Sequence, residues 1–165
     1  MKVCTIAGRE EKIKSEAEIK AFADSLGVQW IVCRGLYLFD NRNTCIEYAD
    51  GDDVLFVDSD IVPTIEAYDR LIKSGKDIIS GAYLQREKSC YCRDVPLSTK
   101  GIISVPSCGA GFLYIKAQVF KAFSDKFYFW NYKEDIGEDI GFCKRATELG
   151  FTVHIDCDSR VTHVL

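Results

Sequence analysis

Residues 54–57 read Val-Leu-Phe-Val, and the next three read Asp-Ser-Asp. A strand with one face in water alternates apolar and polar residues. This run has no polar position, so a strand here needs cover on both faces. That requirement narrows the fold to a sheet held between helical layers. The flanking sequence supplies such layers. Val3–Ile6, Val28–Cys33 and Asp77–Ser80 read as further strands. Ile13–Leu26 has apolar residues at 19, 22, 23 and 26, a helical spacing, and Gly27 ends it. Asn41–Ala49 reads as a short helix followed by Gly51. Thr64–Lys73 reads as another, with Thr64 as N-cap and Gly75 past its end. Four strands linked by three helices predict a parallel, doubly covered α/β sheet.

The regularity breaks after Gly81. Residues 84–100 are polar and read as a loop. Gly101–Val105 and Phe112–Ile115 read as strands around a PSCGAG turn, and Ala117–Phe123 as a short helix. Glu138–Leu149 reads as a helix: acids open it, Lys144 and Arg145 follow, and Gly150 stops it. Phe151–Asp156 reads as a last strand with Phe151, Val153 and Ile155 on one face. No repeat or linker divides the 165 residues, so a single domain is expected.

Charge and composition exclude some roles. Lys plus Arg is 21 against 25 for Asp plus Glu, a formal charge of -4, so no overall positive field recruits nucleic acid. No run reaches the ~18 apolar residues of a membrane span. The opening MKVCTIAGREEK lacks the apolar core of a signal peptide, which points to a cytoplasmic setting. Eight cysteines occur without a CxxC pair, so no zinc-ribbon pattern is present. They read mainly as buried free thiols, with Cys90 and Cys92 the best placed for a bridge to a distant partner.

Three features are able to carry chemistry. Asp58 and Asp60 follow a buried strand, where open parallel sheets bind ligands. If strand geometry continues, both carboxylates point the same way and suit Mg²⁺ or Mn²⁺; otherwise they form an acidic strand exit. Glu138 and Asp139 open the last long helix, and Asp139 shares an inward stripe with Phe142, Cys143, Ala146 and Leu149. A carboxylate there serves as a general base or merely caps the helix. His163 shares a face with Val161 and Leu165, as a metal ligand or a hydrogen-bonded core residue, while His154 should face outward. Arg9, Arg34, Arg42 and Arg86 lie at or near strand ends, as diphosphate partners or as solvated surface. Gly109-Ala110-Gly111 joins two strands, so it is neither a Walker loop nor a dinucleotide fingerprint. Its glycines allow close backbone approach or a tight turn.

The order of these motifs is more specific than any one of them. An NRN tripeptide starts a helix, then come GDDVLFVDSDIVP, PSCGAGFLYIKAQVF and GEDIGFCKRATELGFTVHIDCDSRVTHVL. The set resembles the GT-A-fold glycosyltransferases of the large inverting, nucleotide-sugar-using family. The likeness runs from about Asn41 to the C-terminus, and the N-terminal strands and helix fit it too. It implies a single Rossmann-like domain with a mostly parallel central sheet. Residues 1–81 would be the nucleotide-binding half and residues 82–165 the acceptor and catalytic half. It implies a UDP- or GDP-sugar donor, Mn²⁺ or Mg²⁺, and a carbohydrate, glycolipid or protein acceptor. By the same resemblance Asp58 would sit near the ribose and metal. Asp60 would be the direct metal ligand, with His163 completing the site. Asp139 would be the base, with Glu138 beside it. Arg42 and Asn43 would face the donor, as Arg9 and Arg86 would if they meet the diphosphate. Gly109 to Gly111 would line the sugar and acceptor pocket. A retaining transferase, a nucleotidyltransferase and a non-catalytic nucleotide- or sugar-binding module stay open, as does a homodimer. A nucleotidyltransferase should carry a Gly/Lys/Arg-rich phosphate loop after the first strand; here that loop reads AGREEK.

Overall fold

The computed structural model describes residues 1–83, 95–125, 127–129 and 137–164. Nine strands and five helices lie within them. In chain order they are β1 (Lys2–Gly8), α1 (Glu16–Leu26), β2 (Trp30–Gly35), α2 (Leu38–Ala49), β3 (Val54–Val57), β4 (Ile61–Val62) and α3 (Ile65–Lys73). Then follow β5 (Ile78–Ala82), β6 (Ile102–Val105), β7 (Phe112–Ile115), α4 (Ala117–Ala122), α5 (Glu138–Glu148), β8 (Val153–Arg160) and β9 (Thr162–His163).

Seven strands form one sheet in the order β2-β1-β3-β7-β5-β8-β6. β1 pairs in parallel with β2 and β3, and β5 with β8. β7 runs antiparallel between β3 and β5, and β6 closes the far edge antiparallel to β8. The fold is therefore α/β and Rossmann-like, with a mostly parallel central sheet flanked by helices. One expectation needs correction. The first four strands do not form an uninterrupted parallel sheet, because β7 lies between β3 and β5. Phe112–Ile115 is fully buried, so it belongs at the centre of the sheet and not at an edge.

Cover on both faces is present as the VLFV run required. Val54 and Phe56 pack into one core with Cys4, Ile6, Phe129 and Phe142. Leu55 and Val57 pack into the opposite core with Ile19, Phe22 and Leu71. Local signals also hold. The Thr64 hydroxyl accepts from the Ala67 N–H, which caps α3. Gly27 ends α1 with φ 63°, a conformation that suits glycine. α2 starts three residues before Asn41, and α1 starts after Ile13. Leu149 is 45% exposed, so it leaves the inward stripe of α5. Cys4, Cys33, Cys45 and Cys157 are buried free thiols, and Cys108 and Cys143 are buried too. Cys90 and Cys92 lie outside the described residues. No helix among the described residues is long and apolar enough to cross a membrane.

Candidate active site

β3 ends at Val57, and the chain turns at once, with the Ile61 N–H donating to the Asp58 carbonyl at 3.0 Å. Strand alternation therefore does not aim Asp58 and Asp60, contrary to the sequence expectation. Both line one cavity of about 250 Å³ but meet different partners: Arg42, which lines it too, and His163, which does not. Asp58 Oδ1 meets Arg42 Nη2 at 3.0 Å. Asp60 Oδ2 meets His163 Nε2 at 3.2 Å. The latter contact exists because β4 and β9 pair, with Ile61 opposite His163, and because the Val164 N–H donates to the Asp60 carbonyl at 2.7 Å.

α5 supplies two more carboxylates. Glu138 and Asp139 both line the same cavity. Glu138 Oε1 accepts from Arg42 Nε at 3.2 Å. Asp139 Oδ1 accepts from the Ile140 N–H at 2.8 Å, so it lies against the positive end of α5. Arg42 thus holds Asp58, after β3, together with Glu138 of α5. It is 3% exposed and stands between two aromatic rings, its guanidinium carbon 5.0 Å from the centre of Phe56 and 5.6 Å from that of Phe129. Burial works against its charge, but Asp58 and Glu138 more than offset that and raise its pKa. Its Nη1 is buried without a hydrogen-bond partner among the described residues. A buried charged donor left unpaired is costly, and an anion beside it would remove the penalty.

Asp58 shows the other side of this balance. Burial pushes its carboxyl above the ordinary range; Arg42 pulls it down, and Asp60 and Glu138 push it up. The cavity collects Glu11, Asp58, Asp60, Glu138 and Asp139 against one arginine. That excess of carboxylate suits a hard divalent cation in its donor chemistry. Among the described residues no group of three or more His, Cys, Asp or Glu side chains is arranged to hold a metal ion unaided. The Asp60–His163 pair fits a cation that takes its remaining ligands from phosphate and water, as Mg²⁺ commonly does.

The glycine turn forms a further edge. Ala110 lines the cavity. The Gly111 carbonyl accepts from the Asp58 N–H at 2.9 Å, and its N–H donates to the Tyr83 hydroxyl at 3.1 Å. Gly109 does not line the cavity; its carbonyl accepts from the Ser80 hydroxyl at 3.3 Å. Asn43 clamps the backbone of Phe129 from both sides, at 2.9 and 3.1 Å, and is a positioning residue for the Arg42 stack. Arg9 is exposed in the turn after β1 and does not line the cavity. Arg34 donates to the Glu11 carbonyl at 2.5 Å and holds that loop. His154 is half-buried and contacts the Ile78 carbonyl at 3.4 Å. Arg86 lies outside the described residues.

Two lining residues with polar side chains, Glu11 and Tyr83, escape sequence reasoning. Glu11 accepts from the Gly8 N–H at 2.8 Å and from the Ser59 hydroxyl at 3.0 Å, tying the first loop to the Asp-Ser-Asp turn. Tyr83 stands edge-on to His163 at 6.0 Å between ring centres. Glu11 had one available signal, its place directly after β1. Tyr83 had none, because its role depends on a turn from elsewhere in the chain.

No protein-family model matches the sequence, and no curated protein sequence matches it. Solved structures do share the fold. A197 from STIV superposes with a TM-score of 0.67 at 16% identity, covering 99% of this chain and 94% of that one. The inositol-1-phosphate CTP transferase from T. maritima gives 0.51 at 13% identity, covering 99% of this chain and 69% of that one. The UDP-glucose pyrophosphorylase from Acinetobacter baumanii gives 0.51 at 13%, covering 90% and 63%. At such identities the likeness extends to architecture, and activity has to be argued from the site.

Proposed function

We propose that this chain is a metal-dependent glycosyltransferase that moves a sugar from a nucleoside-diphosphate sugar to an acceptor hydroxyl, with inversion. The observation that carries this reading is the cavity lined by four carboxylates that the sequence singled out. Asp58, Asp60, Glu138 and Asp139 line it together, buried Arg42 holds Asp58 and Glu138, and His163 meets Asp60.

Such a transfer expels a nucleoside diphosphate on one face of the sugar and admits a hydroxyl on the other. Asp60 and His163, with Asp58 beside them, would hold Mn²⁺ or Mg²⁺. A bound divalent ion supplies Lewis-acid stabilisation of the departing diphosphate, worth several kcal/mol. Arg42 places its charge at the cavity lining and would attract the anionic donor. The Asp139 carboxylate takes the proton of the acceptor hydroxyl, a contribution of about 10²–10⁴-fold. Glu138 keeps Arg42 in place. The Ala110–Gly111 turn brings backbone close to the sugar.

A nucleotidyltransferase shares the architecture but has to meet a triphosphate with cations in the first loop. Here the carboxylate of Glu11 caps the Gly8 N–H and lines the cavity, which disfavours a triphosphate at that place. The test offers UDP-, GDP-, CDP-, ADP- and dTDP-sugars with Mn²⁺ and follows nucleoside diphosphate release. In parallel, each nucleoside triphosphate is offered with a sugar phosphate and pyrophosphate is followed. Metal-dependent diphosphate release, lost in Asp60→Asn, supports the proposal. Pyrophosphate release alone replaces it with nucleotidyl transfer. Binding of a nucleoside diphosphate without turnover of any donor replaces it with a non-catalytic module.

A further inference from the structure

A second cavity, of about 620 Å³, is lined by α5, by β6 at the edge of the sheet and by the start of β8. It exceeds the 250 Å³ of the candidate active site and falls in the range of ligand pockets, about 300–1,000 Å³. Ile140, Lys144 and Thr147 recur at helical spacing, so one side of α5 faces it. The two cavities adjoin along the chain at two places. Asp139 lines the first, and Ile140, the next residue, lines the second. Ala110 lines the first, and Ser107, three residues earlier in the same connection, lines the second.

Their chemistry differs. The first gathers carboxylates around Arg42. The second is lined by apolar Val105, Pro106, Ile140, Phe151 and Val153, with hydroxyls such as Ser107 and Thr147. Among its described lining residues the charges are Lys144 and Glu148, one of each sign. A balanced, mainly apolar lining suits a neutral apolar body and not a phosphate or a divalent cation. Seating an alkyl chain in the first cavity would strip water from its carboxylates, whereas the second covers such a chain without that cost.

We propose that this second cavity takes the apolar body of the acceptor, an alkyl glycoside or other long-chain alcohol whose hydroxyl end lies at Asp139. The inference rests on the transferase reading, in which Asp139 takes the acceptor proton, and narrows the acceptor to an amphipathic, lipid-like alcohol.

The native chain is titrated by calorimetry with methyl β-glucoside and with n-octyl β-glucoside below its micelle concentration. The octyl compound should bind at least about tenfold tighter, since each buried methylene adds about fourfold. Thr147→Trp fills the cavity from an exposed position on α5 and should abolish that difference. Ser104→Trp fills it from β6 and serves if the first variant melts low. A diazirine placed on the alkyl chain should label, on irradiation, the peptides carrying Val105 and Ile140 to Phe151. Label concentrated on exposed Leu36, Tyr37 and Leu38, or equal affinity for both glucosides, would overturn the proposal. Self-association that Thr147→Trp abolishes, with no label in the cavity, would replace the acceptor with a second copy of the chain. Transfer to both glucosides with equal KM would overturn this inference and leave the transferase reading intact. Label in the cavity without transfer from any donor would overturn the acceptor role together with that reading.

Discussion

Asp60 and His163 are separated by 103 residues in the chain, yet their side chains meet at 3.2 Å. The meeting depends on a sheet of two short strands, β4 and β9, which pairs Ile61 with His163 and Val62 with Thr162. This pairing and the Val164 N–H on the Asp60 carbonyl hold the C-terminal segment against the Asp-Ser-Asp turn. A ligand that joins both side chains should therefore fasten that segment.

The first prediction concerns this pair. With a suitable nucleoside diphosphate and Mn²⁺ at about 100 times its Kd, the native chain should gain ~2.7 kcal/mol of stability. Asp60→Asn and His163→Ala should each lose most of the metal-dependent part, and the double variant should lose little more. Thermal melts with and without metal check this. Equal ligand stabilisation in all four proteins would show that the pair holds no cation.

Arg42 is the next test. Its removal leaves Asp58 and Glu138 without their shared cation, and breaking a buried pair from one side costs about 3–5 kcal/mol. Asp58 is one-third exposed and Glu138 14%, so Arg42→Met should fall near 3 kcal/mol by urea unfolding. Arg42→Lys should recover only part of it. An ammonium cannot offer Nε and Nη2 to two carboxylates and remain flat between Phe56 and Phe129. Full recovery by lysine would show that charge alone matters there.

Asp58 gives a pH prediction with a definite sign. Its folded carboxyl is raised above the ordinary value: the partial loss of water around its one-third-exposed side chain, with Asp60 and Glu138 nearby, outweighs the pull of Arg42. The folded chain then keeps a proton that the unfolded chain has already released. Stability attached to this group declines as pH rises from the ordinary carboxylate range through the raised value. Asp58→Asn removes that decline, so its stability relative to the native chain should improve steadily as pH rises across the window. Urea midpoints at several pH values, without divalent metal, measure the difference. A flat difference would mean that Asp58 titrates normally in the fold.

Much of this was legible in the sequence, and the reasons differ by element. The VLFV run forced a doubly covered strand because no polar residue interrupts it. Caps such as Thr64 and Gly27 act over three or four residues, so local reading found them. The place of β7 in the sheet was not legible, since strand order is set by tertiary packing and β7 is apolar throughout. Asp58, Asp60, Glu138, Asp139 and Arg42 were singled out and do share one cavity. Asn43 was singled out too, but it holds Phe129. Glu11 and Tyr83 were missed because their contacts cross between loops, where no period or spacing exists to reveal them.

The last prediction isolates the glycine turn. A Cβ at Gly111 would lie 2.9 Å from Tyr83 Cζ, 3.0 Å from its Oη and 3.4 Å from Asp58 Oδ2. The glycine is therefore required by the close approach of Tyr83 and not by backbone conformation. Gly111→Ala should cost about 1–3 kcal/mol, the usual range for overpacking. It should also weaken metal-dependent nucleotide binding, because Tyr83 lies edge-on against His163 and cannot retreat without disturbing it. Removing the ring should remove the conflict. In a Tyr83→Ala background, Gly111→Ala should cost much less than in the native chain, a coupling that a double-mutant cycle reads directly. If the alanine is as damaging without the ring as with it, the turn needs glycine for some reason other than Tyr83.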